Sequence, residues 1–166
     1  LDFENVESLT IAVDATTAND AIVAMTAAEA NNVTVTGGAA GALLTLGATD
    51  ALTNNIDLTG YAGEVSFTAA ASTSTGGVTL NASSAAAADD YTLSAFNDTA
   101  TIATTGAVDV DIDMGAGTGD VLNLTVTTGF VDTANIDGAE TINLGVVAGA
   151  DITIGANGAA ATTANG

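Results

Sequence analysis

Short stretches in which apolar and polar residues alternate recur along nearly the whole chain, and this rhythm limits the fold more than any other feature. The first is VESLTIAVD at residues 6–14, where Leu9, Ile11 and Val13 alternate with Thr10 and Ala12, the period of a half-buried strand. From residue 31 onward the runs NNVTVTG, ALLTLGA, NIDLTGY, EVSFTAA, GVTLNAS, DYTLSAF, TATIATTG, AVDVDIDM, DVLNLTVTT, ETINLGV and ADITIGA follow one another, most of them 10 to 14 residues apart. Gly, Asn, Asp, Ser and Thr separate them, and Pro is absent. Between the first run and the rest, TTANDAIVAMTAAEANN repeats Ile22, Met25 and Ala28 or Glu29 near a period of 3.6, with Thr17 or Asn19 as cap. This predicts one N-terminal helix at about 18–30. The chain is thus expected to be mainly β, with short Thr/Val/Ile strands arranged as a β-solenoid or a β-sandwich. Missing Pro, small punctuating residues and weak self-similarity favour the solenoid. Residues 1–166 read as a single β-rich domain, either mature material or an excerpt of a longer secreted chain.

Charge restricts function as strongly as pattern restricts fold. The 166 residues include no Lys, Arg or His and 20 Asp plus Glu, a formal charge of −20. Nucleic acid and anionic lipid surfaces are excluded as partners, because both are held largely by Lys and Arg. Zinc sites of His and Cys, Arg clamps on phosphoryl groups and nucleophiles activated by His or Lys lack their side chains. Only a two-carboxylate glycosidase would be chemically available, and no acid–nucleophile pair is recognisable, so the chain is read as not an enzyme. No uninterrupted apolar stretch is long enough for membrane insertion as a helix. Charged residues make up only 12% against 48% apolar, which points to a folded chain. Hard-cation binding, self-association and structural roles remain.

Two local features refine this reading. Residues 3–11, FENVESLTI, echo residues 136–144, IDGAETINL, each placing a Glu (Glu7, Glu140) just before a strand with alternating aliphatics. The densest acidic segment is AVDVDIDMGAGTGDVLNL. On a strand, Val108, Val110 and Ile112 face inward, whereas Asp109, Asp111 and Asp113 project from the other face about 7 Å apart. The glycine-rich stretch after them adds Asp120. With no Lys or Arg to compensate, a divalent cation is the natural counter-charge. Ca²⁺ takes six to eight hard oxygens at about 2.3–2.6 Å, so Asp109, Asp111, Asp113 and Asp120 are the candidate metal ligands. A solvated acidic strand face is the simpler alternative, because salt screens exposed charges over about 8 Å. The pairs Asp89/Asp90 and Asp50/Asp57 read as turn or cap residues. Asn32, Asn81, Asn97 and Asn123 stand in glycosylation sequons.

GAGTGDVLN resembles the glycine- and aspartate-rich nonapeptide of the RTX β-roll: Gly115, Asp120 and Leu122 fall on its marks, while Ala116 and Thr118 replace two glycines. GDVLNLTVTT, NIDGAETINL and the Thr/Ala/Gly/Asn/Asp-rich, Cys-free composition resemble bacterial surface-layer proteins exported by type I secretion. The resemblance implies a calcium-dependent structural protein that assembles with copies of itself outside the cell, as a surface layer, sheath or filament. The other reading is a calcium-dependent adhesin or carbohydrate-binding module, with a cell-surface glycan as partner.

Overall fold

A strand such as SLTIAV can bury only one face, and its backbone amides need partners on both edges. In the computed structural model both needs are met by winding the chain into a parallel β-solenoid. The structure describes residues 6–14, 20–22, 31–46, 55–69, 75–84, 88–104, 109–126, 130–132, 136–146 and 152–154. Strands are numbered in chain order. One sheet stacks β1 (Ser8–Val13), β3 (Asn32–Gly37), β5 (Asn55–Tyr61), β7 (Thr79–Ser84), β9 (Thr99–Thr104), β11 (Val121–Val126) and β14 (Thr141–Val146). The facing sheet runs from β2 (Asp20–Ile22) through β4 (Leu43–Leu46), β6 (Glu64–Thr68), β8 (Ala88–Thr92) and β10 (Asp109–Asp113) to β13 (Ile136–Asp137). A smaller third sheet pairs β12 (Phe130–Asp132) with β15 (Ile152–Ile154). Every pairing among the described strands is parallel, which selects the solenoid over the sandwich.

The register explains why a modest sequence repeat suffices. Leu9, Val33, Ile56, Leu80, Ala100, Leu122 and Ile142 fall in one column across the first sheet. Leu46, Phe67, Tyr91, Ile112 and Ile136 form another across the second. These columns supply much of one continuous buried core. A slip of one residue would turn a whole column to solvent, so the aliphatic alternation pins every coil to its neighbours. Outward columns carry Thr, Asn and Ser instead. There Asn55 donates through Nδ2 to Asn32 Oδ1 at 3.0 Å, and Asn143 to Asn123 Oδ1 at 2.9 Å, so identical amides stack from coil to coil. One irregularity interrupts the register between Thr34 and Thr36, where β3 meets β5. Asp57 lies opposite Thr34, and its carboxylate accepts the Thr59 N–H and hydroxyl.

The helix expected at about 18–30 is corrected where that segment is described. Asp20–Ile22 form β2 in parallel register with Leu44–Leu46, and among the described residues there is no helix. Residues 18–19 and 23–30 lie outside the described residues. The helical period rested on a few apolar positions in an Ala-rich stretch, a signal weaker than the demand that each coil supply a strand to the second sheet.

Ile102 is fully buried in the middle of the first sheet, whereas its neighbour Thr101 is exposed. Ile102→Ala is expected to cost about 2–5 kcal/mol and Thr101→Ala less than about 0.5 kcal/mol. Chemical denaturation of the two variants checks this; equal losses would contradict the inward and outward assignment.

Candidate functional site

Most of the polar chemistry inside the solenoid gathers where the chain turns into each strand of the first sheet. Glu7, Asn31, Val78, Asp98, Asp120 and Glu140 each stand one residue before such a strand. The carbonyls of the first five accept the first strand N–H of the next coil: Asn32 N–H donates to Glu7 O at 3.2 Å, Asn55 N–H to Asn31 O at 2.9 Å, Thr99 N–H to Val78 O at 2.9 Å, Val121 N–H to Asp98 O at 2.9 Å and Thr141 N–H to Asp120 O at 3.0 Å. Over its described part, VESLTI against AETINL, the echo is structural, since Glu7 and Glu140 occupy the same corner of two coils of this sheet.

The N–H groups at this corner are met by acidic side chains. Val78 N–H donates to Asp98 Oδ1 at 2.6 Å, Asp98 N–H to Asp120 Oδ1 at 2.6 Å, and Asp120 N–H to Glu140 Oε2 at 2.7 Å. On the second sheet the Val65 N–H donates to Asp89 Oδ1 at 2.8 Å. In all four cases the carboxylate belongs to the later coil and reaches back to the earlier one. Asp89, Asp98 and Asp120 are each at most 2% exposed. Without a cationic side chain, backbone dipoles take over the stabilisation that an ion pair would give a buried acid. Asp98 is the best supplied: Ser94 donates its N–H to Oδ2 at 2.7 Å and its hydroxyl to Oδ1 at 2.7 Å.

Asp120 is less well supplied. Among the described residues its Oδ2 is buried without a hydrogen-bond partner. Burial raises its pKa above the ordinary 3.8, and the nearby Asp98 and Glu140 carboxylates push the same way against the lowering effect of the Asp98 N–H. The loop before it is built for close approach. Gly115 has φ of +88°, and a Cβ there would run into the Ser94 carbonyl. A Cβ at Gly117 would collide with the Asp120 carboxylate itself. On the second sheet, burial and then the Asp89 charge hold the Tyr91 phenol far above its ordinary pKa.

The four candidate metal ligands are distributed as follows. Asp111 and Asp113 lie exposed on the outer face of β10, with Val110 and Ile112 buried behind them. Asp109 lies in the same strand opposite Ala88; its side chain lies outside the description. Asp120 belongs to the corner ladder, with Oδ1 committed to the Asp98 N–H. Among the described residues no group of three or more acids converges as a metal cage; Asp111 and Asp113 share the outer face of β10, whereas Asp120 is buried at the corner. Stacking creates other acidic neighbours: Asp111 stands in register with Asp90, and Asp113 with Asp137. Asp113 and Asp137 also accept the N–H of Gly115 and Gly138, each at 2.9 Å.

Sequence reasoning missed the roles of Asp89 and Asp98. The signal for Asp98 was present, an acid one residue before an alternating strand, as at Glu7, Asp120 and Glu140. Asp89 carried no such mark, because it sits inside a strand among inward-facing residues. Of the aromatic residues a sugar-binding surface would use, Tyr61, Phe67 and Tyr91 are in the core. Compared with family models, curated proteins and solved structures, the chain matches none.

Two outcomes are expected. Asp98→Ala orphans the Val78 and Ser94 N–H groups and should destabilise by at least about 2 kcal/mol, with Asp98→Asn milder because one acceptor survives; denaturation midpoints decide. Asp120 has a folded-state pKa above its unfolded value. Its contribution is therefore fully present below the unfolded value and is lost as pH rises through the folded one. The stability gain of Asp120→Asn over the parent should accordingly grow from pH 4 to pH 7 in thermal melts, and a constant difference would refute it.

Proposed function

We propose that this chain is a structural subunit that assembles with copies of itself outside the cell, as part of a surface layer, sheath or filament of the bacterial surface-layer type. The observation that carries this reading is a parallel β-solenoid whose buried acids are spent on holding its own coils together. Neither the corner ladder nor the outer Asn and Thr columns presents a recognisable catalytic constellation, but both suit a stiff, repetitive building block. Its surface is acidic with no basic side chain anywhere in the chain, so copies repel and form no side-chain salt bridges. Trypsin-like proteases also find no Lys or Arg to cut, which suits permanent exposure.

Divalent cations enter this proposal as bridges between copies rather than as an enclosed site. The register pairs Asp90/Asp111 and Asp113/Asp137 place outward carboxylates on adjacent parallel strands, about 4.8 Å apart along the stack. Such pairs offer too few ligands for a full Ca²⁺ shell. A second copy would contribute the remaining oxygens. Calcium is then the counter-charge for side-by-side association.

Light scattering across a calcium titration, followed by addition of chelator, tests this. Scattering should rise with Ca²⁺, fall on chelation and respond only weakly to monovalent salt at equal ionic strength. An assembly indifferent to chelator would refute cation bridging. Asp111→Asn with Asp113→Asn should shift the calcium midpoint upward while leaving the melting profile in chelator nearly unchanged.

A further inference from the structure

The two outer faces of the solenoid differ sharply in charge. On the second sheet the outward columns hold Glu64, Asp90, Asp111, Asp113 and Asp137. Among the described residues the outward columns of the first sheet hold one acid, Asp57, and otherwise Thr, Asn, Ser, Ala, Gly and Val121. Even Asp57 is locally engaged, its Oδ1 accepting both the N–H and the hydroxyl of Thr59. In a chain of formal charge −20, the first sheet thus offers seven strands whose outer side is almost free of charge.

That face is polar in composition, yet its amides are paired within it. Asn55 donates to Asn32 Oδ1 at 3.0 Å and Asn32 to Ser8 Oγ at 3.4 Å; in the next column Asn143 donates to Asn123 Oδ1 at 2.9 Å and Asn123 to Thr101 Oγ1 at 3.4 Å. Polar groups that already hold partners along the columns lose little when water is removed from above them. In-register amide ladders on parallel strands are also the surfaces that pack face to face in cross-β assemblies. Seven strands about 4.8 Å apart, each giving about six residues at about 3.3 Å, present roughly 600–700 Å². Each partner in a standard protein interface buries about 800 Å², so an area of this size suits a specific contact.

We propose that the outer face of the first sheet is a docking surface for the same face of a second copy, and that the pair forms without any cation. Charge selects this occupant. A partner bearing Lys or Arg is drawn to the acidic face instead, whereas a copy of this chain can approach closely only where carboxylates are scarce. Pairing the first sheets leaves the two acidic faces on the outside, separated by about three intersheet spacings of about 10 Å. That is more than three screening lengths at physiological salt, where the Debye length is about 8 Å. The contact is isologous and closes as a dimer. It rests on the self-assembly reading but uses a different face from the calcium bridges, so chelator should reduce a calcium-bridged array to dimers and not to monomers.

Sedimentation velocity in chelator tests the contact. The parent should dimerise, and more strongly as NaCl rises from about 10 to about 150 mM, because the Debye length falls from about 30 to about 8 Å. Thr101 is exposed near the middle of the face, and Thr101→Asp should weaken the dimer at least tenfold. Thr101→Asn, nearly the same in shape, should keep it, and so should Thr45→Asp, which adds the same charge to the outer side of the second sheet. Asp57→Asn removes the face's acid and should tighten the dimer; it decides the case if Thr101→Asp fails to fold by circular dichroism. A chelator-resistant dimer that Thr101→Asp leaves intact, or that Thr101→Asn and Thr45→Asp weaken equally, overturns the proposal. A parent that is monomeric in chelator but assembles with calcium overturns this contact and leaves the calcium-bridged reading standing, whereas a monomer under every condition overturns both. Should the monomeric parent instead co-sediment with an insoluble polysaccharide, and Thr101→Asp abolish that, the occupant is a glycan and the proposal falls.

Discussion

A chain with twenty carboxylates and no cationic side chain has one abundant source of positive potential, the backbone amide. The rest of the structure depends on how that source is used. In the four cases described, a carboxylate on a later coil meets an N–H on an earlier one: Asp89 with Val65, Asp98 with Val78, Asp120 with Asp98 and Glu140 with Asp120. Charge-assisted hydrogen bonds of this kind are about twice as strong as neutral ones. Three of them, at Val78, Asp98 and Asp120, stand one residue before a strand of the first sheet, where the turning chain would otherwise leave these amides unpaired. The acidic composition and the solenoid therefore solve each other's problem.

Legibility of the fold followed the strength of the local signal. Period-two alternation fixes which side chains enter the core, so the inward places of Val110 and Ile112 could be read directly. Solenoid against sandwich was harder, because strand length and spacing are similar in both; small corner residues and the missing Pro tipped the balance. Asp20–Ile22 misled because three residues carry no period of their own, and their strand exists through pairing with Leu44–Leu46.

The acids were legible as a group but not one by one. Asp111 and Asp113 do share an outward face, as their spacing requires. Asp120 lies only seven residues further along, yet the bend at Gly115 intervenes and its carboxylate is buried at a corner with Asp98 and Glu140. Sequence proximity suggested a common ligand set, whereas the coil repeat of 20 to 24 residues determines which acids become neighbours. Asp98, Asp120 and Glu140 are 22 and 20 residues apart and form one ladder. Counting by coil rather than by motif would have found it.

That every ladder carboxylate points to the preceding coil gives the solenoid unequal ends. Stripping a coil from the N-terminal side takes away an amide donor and leaves an acid free to hydrate. Stripping one from the C-terminal side takes away the acceptor and leaves the corner N–H to find its bond in water. The coils are thus shingled like roof tiles, each held down by the one laid after it.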